Sequence, residues 1–438
     1  MVRQARSSSL SISLVLAAVL LGASPIYAQE DVPAEPAPID DDTVDAAEAD
    51  GAVPRRRLIS WNEYEGPYFT VRVGAGLLID AVDYVQDQES KEQMMLDPEV
   101  KLRDFRILFK GKIKLIPRLS YTLGYMYDGA ASSWRFRQTG IMIDVPELWG
   151  RLFIGRTKEG ISMNKLMVGY HGWTMERAAV NDAFVPILAD GLKWMGNTPG
   201  GSFLWSVGGY GDQLSEQESF NKFGTQVVAR GVALPLPVDA PHAELLHLGA
   251  GYRWSKPDDG FFQFKSKPEQ FPAQSNAIDT GQFPGSHSNL VAPEIYYRRG
   301  PWIVGSEYFF NQVASDETGN PFLHGGEIVS AYLITGETRP YNRKGGYFEG
   351  ISPAKPVFCR GCGGWGGWGA WELVARFSYS DLDDDAIQGG KFWRITPVVN
   401  WYATDNIRFV ASYGFGVLDR FGLEGHTHFF GTRMQVLL

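Results

Sequence analysis

The chain reads as an all-β protein, a transmembrane antiparallel β-barrel of about 16 strands, and three observations lead there. Hydrophobicity alternates with a period of two: Ile407, Phe409, Ala411, Tyr413, Phe415 and Val417 share one parity. Asn406, Arg408, Ser412, Gly414 and Gly416 take the other, interrupted only by Val410. Such a segment is one extended strand with an apolar and a polar face. Its length is the second observation, because globular strands run about five or six residues while a tilted strand crossing a bilayer needs roughly 9–11. Third, 50 glycines and 13% aromatics suit a wall that is apolar on one side only. Beyond the first 28 residues no apolar run approaches the roughly 18 residues of a helical span.

Residues 1–28 read as a secretory signal peptide. Arg3 and Arg6 give the positive start, Leu10 to Leu21 a mostly apolar run, and Ile26-Tyr27-Ala28 the cleavage site. An uncleaved helical anchor is the weaker alternative, because that run is too short to span. Residues 29–57 form an acidic Pro/Ala-rich linker ending in a basic run. Positions 29–53 hold nine Asp or Glu and no Lys or Arg, so this stretch is expected to be disordered. Arg55-Arg56-Arg57 closes it and is expected in the periplasm. The whole chain carries −9, but residues 54–438 carry only −2. The barrel domain, 58–438, is therefore nearly neutral, and its selectivity must come from where its charges sit. Cys359 and Cys362 cannot complete a structural zinc site by themselves, and in a secreted chain a small loop disulfide is the better reading.

Spanning strands are predicted to start near residues 68, 101, 119, 133, 148, 190, 202, 223, 245, 291, 301, 326, 369, 391, 405 and 427. Their number is even, as a single-chain antiparallel barrel requires. Ile116-Pro117, Arg299-Gly300-Pro301 and Thr404-Asp405 mark tight joins, whereas 158–189, 256–290 and 338–368 are long ones. Short periplasmic turns on one rim and long extracellular or pore-inserted loops on the other are the expected asymmetry. The outward parity is apolar throughout, as in Phe105-Ile107-Phe109 and Trp371-Leu373-Ala375-Phe377, and aromatics at strand ends suit interfacial girdles. A soluble β-sandwich also alternates, but strand length, terminal aromatics and the signal peptide count against it.

Cations recur on the opposite parity. Arg72 lies in the first strand, Arg106, Lys110, Lys112 and Lys114 in the second, and Arg253 follows His247 and Gly249. Arg376, Arg394, Arg408 and Arg433 occupy the last four strands, one in each. An Arg facing lipid at the midplane would cost about 2–4 kcal/mol, so these side chains belong in the lumen. Guanidinium groups there bind phosphate or carboxylate in bidentate fashion, and rings of Arg and Lys in a pore select anions. Carboxylates on the same face can pair such charges away, and Glu372 shares the face of Arg376. Arg72, Arg106, Lys110, Lys112, Arg253, Arg376, Arg394, Arg408 and Arg433 are the expected pore-lining anion sites.

The segment from Ala331 to Tyr341, Ala-Tyr-Leu-Ile-Thr-Gly-Glu-Thr-Arg-Pro-Tyr, resembles a hallmark of the phosphate-selective porin O and P family. So does Gly367-Trp368-Gly369-Ala370-Trp371-Glu372-Leu373-Val374-Ala375-Arg376-Phe377-Ser378. Supporting matches are Arg299-Gly300-Pro301 leading to Glu307-Tyr308, Leu246-His247-Leu248-Gly249, Asn400-Trp401-Tyr402 and Arg433-Met434-Gln435. Met175-Glu176-Arg177 is similar to the start of the family's loop that folds into the pore. The likeness covers roughly residues 67–438. It implies a homotrimeric barrel in the bacterial outer membrane, surrounded by its lipid, that passes small anions with inorganic phosphate preferred. Departures are Gly155-Arg156-Thr157-Lys158 in place of a Gly-Gln-Phe-Lys turn, a final Leu438 in place of an aromatic, and the cysteine pair.

Rival classes have little support. No His makes a recognisable triad spacing, and no phosphate loop, GxSxG or HExxH motif occurs, so neither an enzyme nor a cofactor is expected. His426 and His428 could share a metal on one face, but a rim role fits them better. No nucleic-acid partner is expected. A general or small-solute porin without phosphate preference, and a receptor or adhesin barrel, remain the alternatives.

Overall fold

The computed structural model describes residues 62–129, 132–211, 224–359, 364–384 and 386–438. The alternating segments pair edge to edge, in antiparallel register, until the sheet closes on itself. The first eight strands are β1 (Thr70–Gln86), β2 (Glu99–Lys112), β3 (Leu119–Asp128), β4 (Ser133–Val145), β5 (Gly150–Thr157), β6 (Ala189–Asn197), β7 (Phe203–Gly211) and β8 (Thr225–Ala233). The second eight are β9 (Leu245–Lys256), β10 (His287–Arg299), β11 (Trp302–Ala314), β12 (Phe322–Leu333), β13 (Ala370–Asp384), β14 (Ile387–Tyr402), β15 (Ile407–Arg420) and β16 (Leu423–Leu437). β16 pairs back onto β1, with Arg433 opposite Asp80, and this closes a 16-strand barrel. All 16 predicted starts lie within four residues of the observed ones. Closure leaves no long unpaired edge. A short strand, Glu63–Glu65, adds to the start of β1.

The signal peptide and the acidic linker predicted for residues 1–57 lie outside the described residues. So does the predicted Cys359–Cys362 disulfide, apart from the backbone of Cys359 in a short strand facing Gly364.

The outer face is apolar around the ring: Leu123, Ile154, Leu192, Ile295, Ile328 and Phe377 are all exposed. Near the rim that carries both described ends, Trp371 stacks on Trp401 at 5.5 Å and Trp401 on Phe409 at 5.3 Å. Toward the opposite rim, Phe310 stacks on Phe322 at 6.3 Å. These rings sit where interfacial girdles belong.

The connections depart from the expected asymmetry in one respect. The long segments 158–188 and 257–286 leave the rim opposite the termini, as predicted. The third, 334–369, follows the twelfth strand and so leaves the terminal rim, among the short turns. Strand parity forces this, because every even-numbered strand of an antiparallel barrel that starts at the terminal rim ends there. Segments therefore reach into the barrel from both ends.

Their apolar side chains give this barrel an interior core. Val180, Ala183 and Phe184 of the first segment pack with Phe262 and Phe264 of the second, against Phe309, Leu323 and Leu382 of the wall. Deeper, Trp173 meets Phe348 of the third segment and Tyr296 of β10. Glycines on the inner wall make room for this packing. A side chain at Gly76 would strike the Tyr170 ring, and one at Gly251 the carbonyl of Ile161.

Candidate functional site

The segment 158–188 shapes the lumen. It contains two short helices, α1 (Met163–Leu166) and α2 (Ala179–Phe184), and is almost wholly buried. Ser162 caps α1 by accepting from the Lys165 amide. The next donors meet carboxylates of the wall. The Met163 amide donates to Glu294 at 2.6 Å, the Asn164 amide to Glu307 at 2.7 Å, and the Asn164 side chain to Glu327. These three glutamates stand abreast on β10, β11 and β12, directly opposite one another in register, and all are buried. Sequence reading missed the row. Its signal was inward-parity Glu on three successive apolar strands.

On the far side the same segment is held through its carbonyl oxygens. Arg408 donates to the carbonyls of Tyr170 at 2.9 Å and Gly172 at 2.8 Å, and Asn400 to that of Trp173 at 2.9 Å. Arg376 donates to the Thr174 hydroxyl at 3.0 Å and the Glu176 carbonyl at 2.8 Å. Arg339, from the segment 334–369, donates to the His171 carbonyl at 2.7 Å. A turn of loop backbone inside a membrane barrel is thus satisfied by wall and loop side chains, as buried carbonyls require.

A cavity of about 480 Å³ lies between the inner wall of β2–β4, the segment 158–188 and residues 263–276 of the second long segment. Among the described residues that line it, nine are Arg or Lys and five are Asp or Glu. Several charges are paired. Arg106 pairs with Asp104, Lys165 with Asp182 at 2.9 Å, and Glu176 with both Arg103 at 2.8 Å and Arg433 at 2.6 Å. Burial would raise the pKa of Glu176, but the guanidinium groups of Arg103 and Arg433 outweigh it and hold that pKa at about 2. Arg137, Lys265 and Lys267 line the same cavity, and among the described residues none of them has a carboxylate at ion-pair distance.

Of the nine cations predicted from parity, Arg106 and Arg433 line this cavity. The other seven lie elsewhere. Arg72 pairs with Glu63 at 2.6 Å near the terminal rim, and Lys112 is exposed at the end of β2. Lys110 is buried on the inner wall, and Arg253 is paired with Glu159 at 2.7 Å. Arg376 contacts Glu269, while Arg394 donates to the carbonyls of Pro268 at 2.9 Å and Glu269 at 3.3 Å. Arg408 serves the loop carbonyls named above. Thus Arg376, Arg394 and Arg408 meet inserted backbone and carboxylates, not the open cavity. Glu372, expected near Arg376, instead takes Arg339 at 2.8 Å and Tyr402 at 2.9 Å. His426 meets Asp87 at 2.9 Å and His428 meets the Tyr413 hydroxyl at 2.6 Å.

Arg103 and Arg137 were missed. Arg103 owes its place to a β-bulge between Leu78 and Ile79, which leaves it as the extra residue beside inward Asp104. Arg137 sits in a second irregularity, where Gly124 faces both Arg137 and Gln138. Its signal was present, since Trp134-Arg135-Phe136-Arg137 alternates.

A model of the phosphate-selective porin O and P family matches residues 71–437. An uncharacterized protein of Caulobacter vibrioides is 30% identical over 264 residues, 58% of this chain and 51% of that one. The chain thus spans about half the length of this curated relative. Among solved structures, OmpT of Vibrio cholerae in its trimer form superposes with a TM-score of 0.51 at 11% identity, covering 85% of this chain and 100% of that one. The outer-membrane channel DcaP of Acinetobacter baumannii gives 0.52 at 9% identity, covering 86% and 99%. Pseudomonas putida OprB gives 0.50 at 9%, covering 85% and 94%. At these identities the likeness is one of fold. The family match spans nearly the whole barrel, and the chain belongs to the phosphate-selective porin O and P family as an outer-membrane β-barrel porin.

Proposed function

We propose that this porin passes small anions, inorganic phosphate among them, through the cationic cavity between β2–β4 and the inserted segments, and that it works as a homotrimer. The observation that carries the reading is the excess of nine cations over five carboxylates in that lining, with no carboxylate at ion-pair distance from Arg137, Lys265 or Lys267 among the described residues. In a narrow passage walled by protein, screening by salt is weaker than at an open surface, so such an excess attracts anions and repels cations. The guanidinium of Arg137 can take a phosphate through two parallel N–H donors, and the lysines act as mobile point charges. Paired carboxylates nearby keep the site from holding an anion too long, as conduction requires. The trimer rests on the family and on the OmpT trimer.

The test is block of chloride current by phosphate in planar bilayers. Phosphate is expected to block the native pore at lower concentration than the Arg137→Ala pore. Equal block would favour a general small-solute porin and remove Arg137 from the path.

A further inference from the structure

We infer that the cavity prefers anions with an aromatic or other apolar body, such as aryl carboxylates and aryl phosphates, over bare inorganic or acetate-like anions of the same charge. This rests on the anion-pore reading and deepens it. The first ground is size: about 480 Å³ falls within the range of roughly 300–1,000 Å³ found for sites that enclose organic ligands, far more than a lone oxyanion occupies.

The second ground is the lining. Apolar groups stand among the cations. Met126 on β3, opposite Arg106 in register, and Leu108 on the same face of β2 are buried in the wall behind the cavity, while Ile187 of the first inserted segment and Phe271 are half-buried at its lining. Water against the exposed parts of Ile187 and Phe271 is unfavourable by about 25 cal/mol per Å², and an apolar body entering the cavity displaces it. A path serving only hydrated inorganic ions has no use for that surface.

The third ground is the placement of the rings. Phe271, half-buried at the cavity wall, has the Arg103 guanidinium 4.1 Å and the Lys267 ammonium 5.5 Å from its ring centre. In the same lining the Arg106 guanidinium lies 4.1 Å over the Tyr170 ring. Cations and aromatic rings therefore share one lining. An aryl anion entering it can set its carboxylate or phosphate against Arg137 or Lys265 while its ring meets Phe271 and the flat of a guanidinium.

The experiment uses the full-length mature porin in planar bilayers and compares block of chloride current by four probes: benzoate, acetate, phenyl phosphate and inorganic phosphate. Within each pair the charged group is alike. Benzoate is expected to block at a concentration about tenfold lower than acetate, and phenyl phosphate to lead inorganic phosphate similarly, the size expected of one aromatic contact. Phe271→Ala should shrink each ratio to about two- or threefold and leave the reversal potential unchanged, while Phe310→Ala on the lipid face should leave the ratios intact. An anion-selective native pore with equal block by benzoate and acetate, or with ratios indifferent to Phe271→Ala, overturns this inference alone. A cation-selective pore overturns the underlying anion reading and this inference with it.

Discussion

Arg433 of the last strand donates to Glu176 of the first inserted segment at 2.6 Å, while the same guanidinium grips Asp80 of β1 at 2.6 and 2.7 Å. One buried side chain thus joins the barrel's closing seam to the element that narrows its lumen. The carboxyl of Glu176 sits at about 2 against an ordinary 4.5, so its ion pairs are complete above 4.5 and are lost only as pH falls through about 2. Single-channel conductance should therefore hold steady from neutral pH to about pH 4 and become noisy only nearer pH 2. Glu176→Gln should bring the noisy state to neutral pH, as read in single-channel records, and should raise anion selectivity by removing a negative charge from the cavity.

Arg408→Ala and Arg137→Ala should differ in kind. The first removes the donors to the Tyr170 and Gly172 carbonyls, a loss of about 1.5–3 kcal/mol in holding the loop. It is expected to give a larger, fluctuating conductance with selectivity little changed. Arg137→Ala removes a cavity cation that has no ion-pair partner among the described residues, and should lower anion selectivity while leaving the current quiet. Conductance histograms paired with reversal potentials separate the two.

The strand plan was legible in the sequence because period-two alternation is local: Trp371-Leu373-Ala375-Phe377 declares its own face without reference to any other segment. Arg376, Arg394 and Arg408 show the limit. Parity placed them inside, but whether an inward arginine meets water or a loop carbonyl depends on segments more than a hundred residues away. Bulges hid Arg103, because one extra residue reverses the faces that strict alternation assigns. The wrong rim for 334–369 came from judging connections by length. Counting strands to the twelfth would have placed it.

Gly251→Leu tests the fit of loop to wall. A side chain there collides with the Ile161 carbonyl, so the variant should lose about 1–3 kcal/mol and show a lower unfolding temperature in detergent. Gly281, with nothing near its missing side chain, supplies the control: Gly281→Asn, tolerant of its positive φ, should leave that temperature unchanged.

The lipid face can be probed at Ile328, mid-strand on β12 and 56% exposed. Ile328→Arg should cost about 2–4 kcal/mol of folding free energy in bilayers, read by denaturant titration in lipid vesicles, with pore selectivity unchanged in the fraction that folds.

The central claim is that anions cross beside β2–β4, drawn by the cation excess of that lining. The most direct measurement is the reversal potential of the native pore under a potassium chloride gradient, beside the Arg137→Ala/Lys267→Ala double variant. A native potential of the sign set by chloride, moving toward zero in the double variant, is the expected result. A native potential set by potassium, or one unmoved by loss of both cations, would contradict the claim.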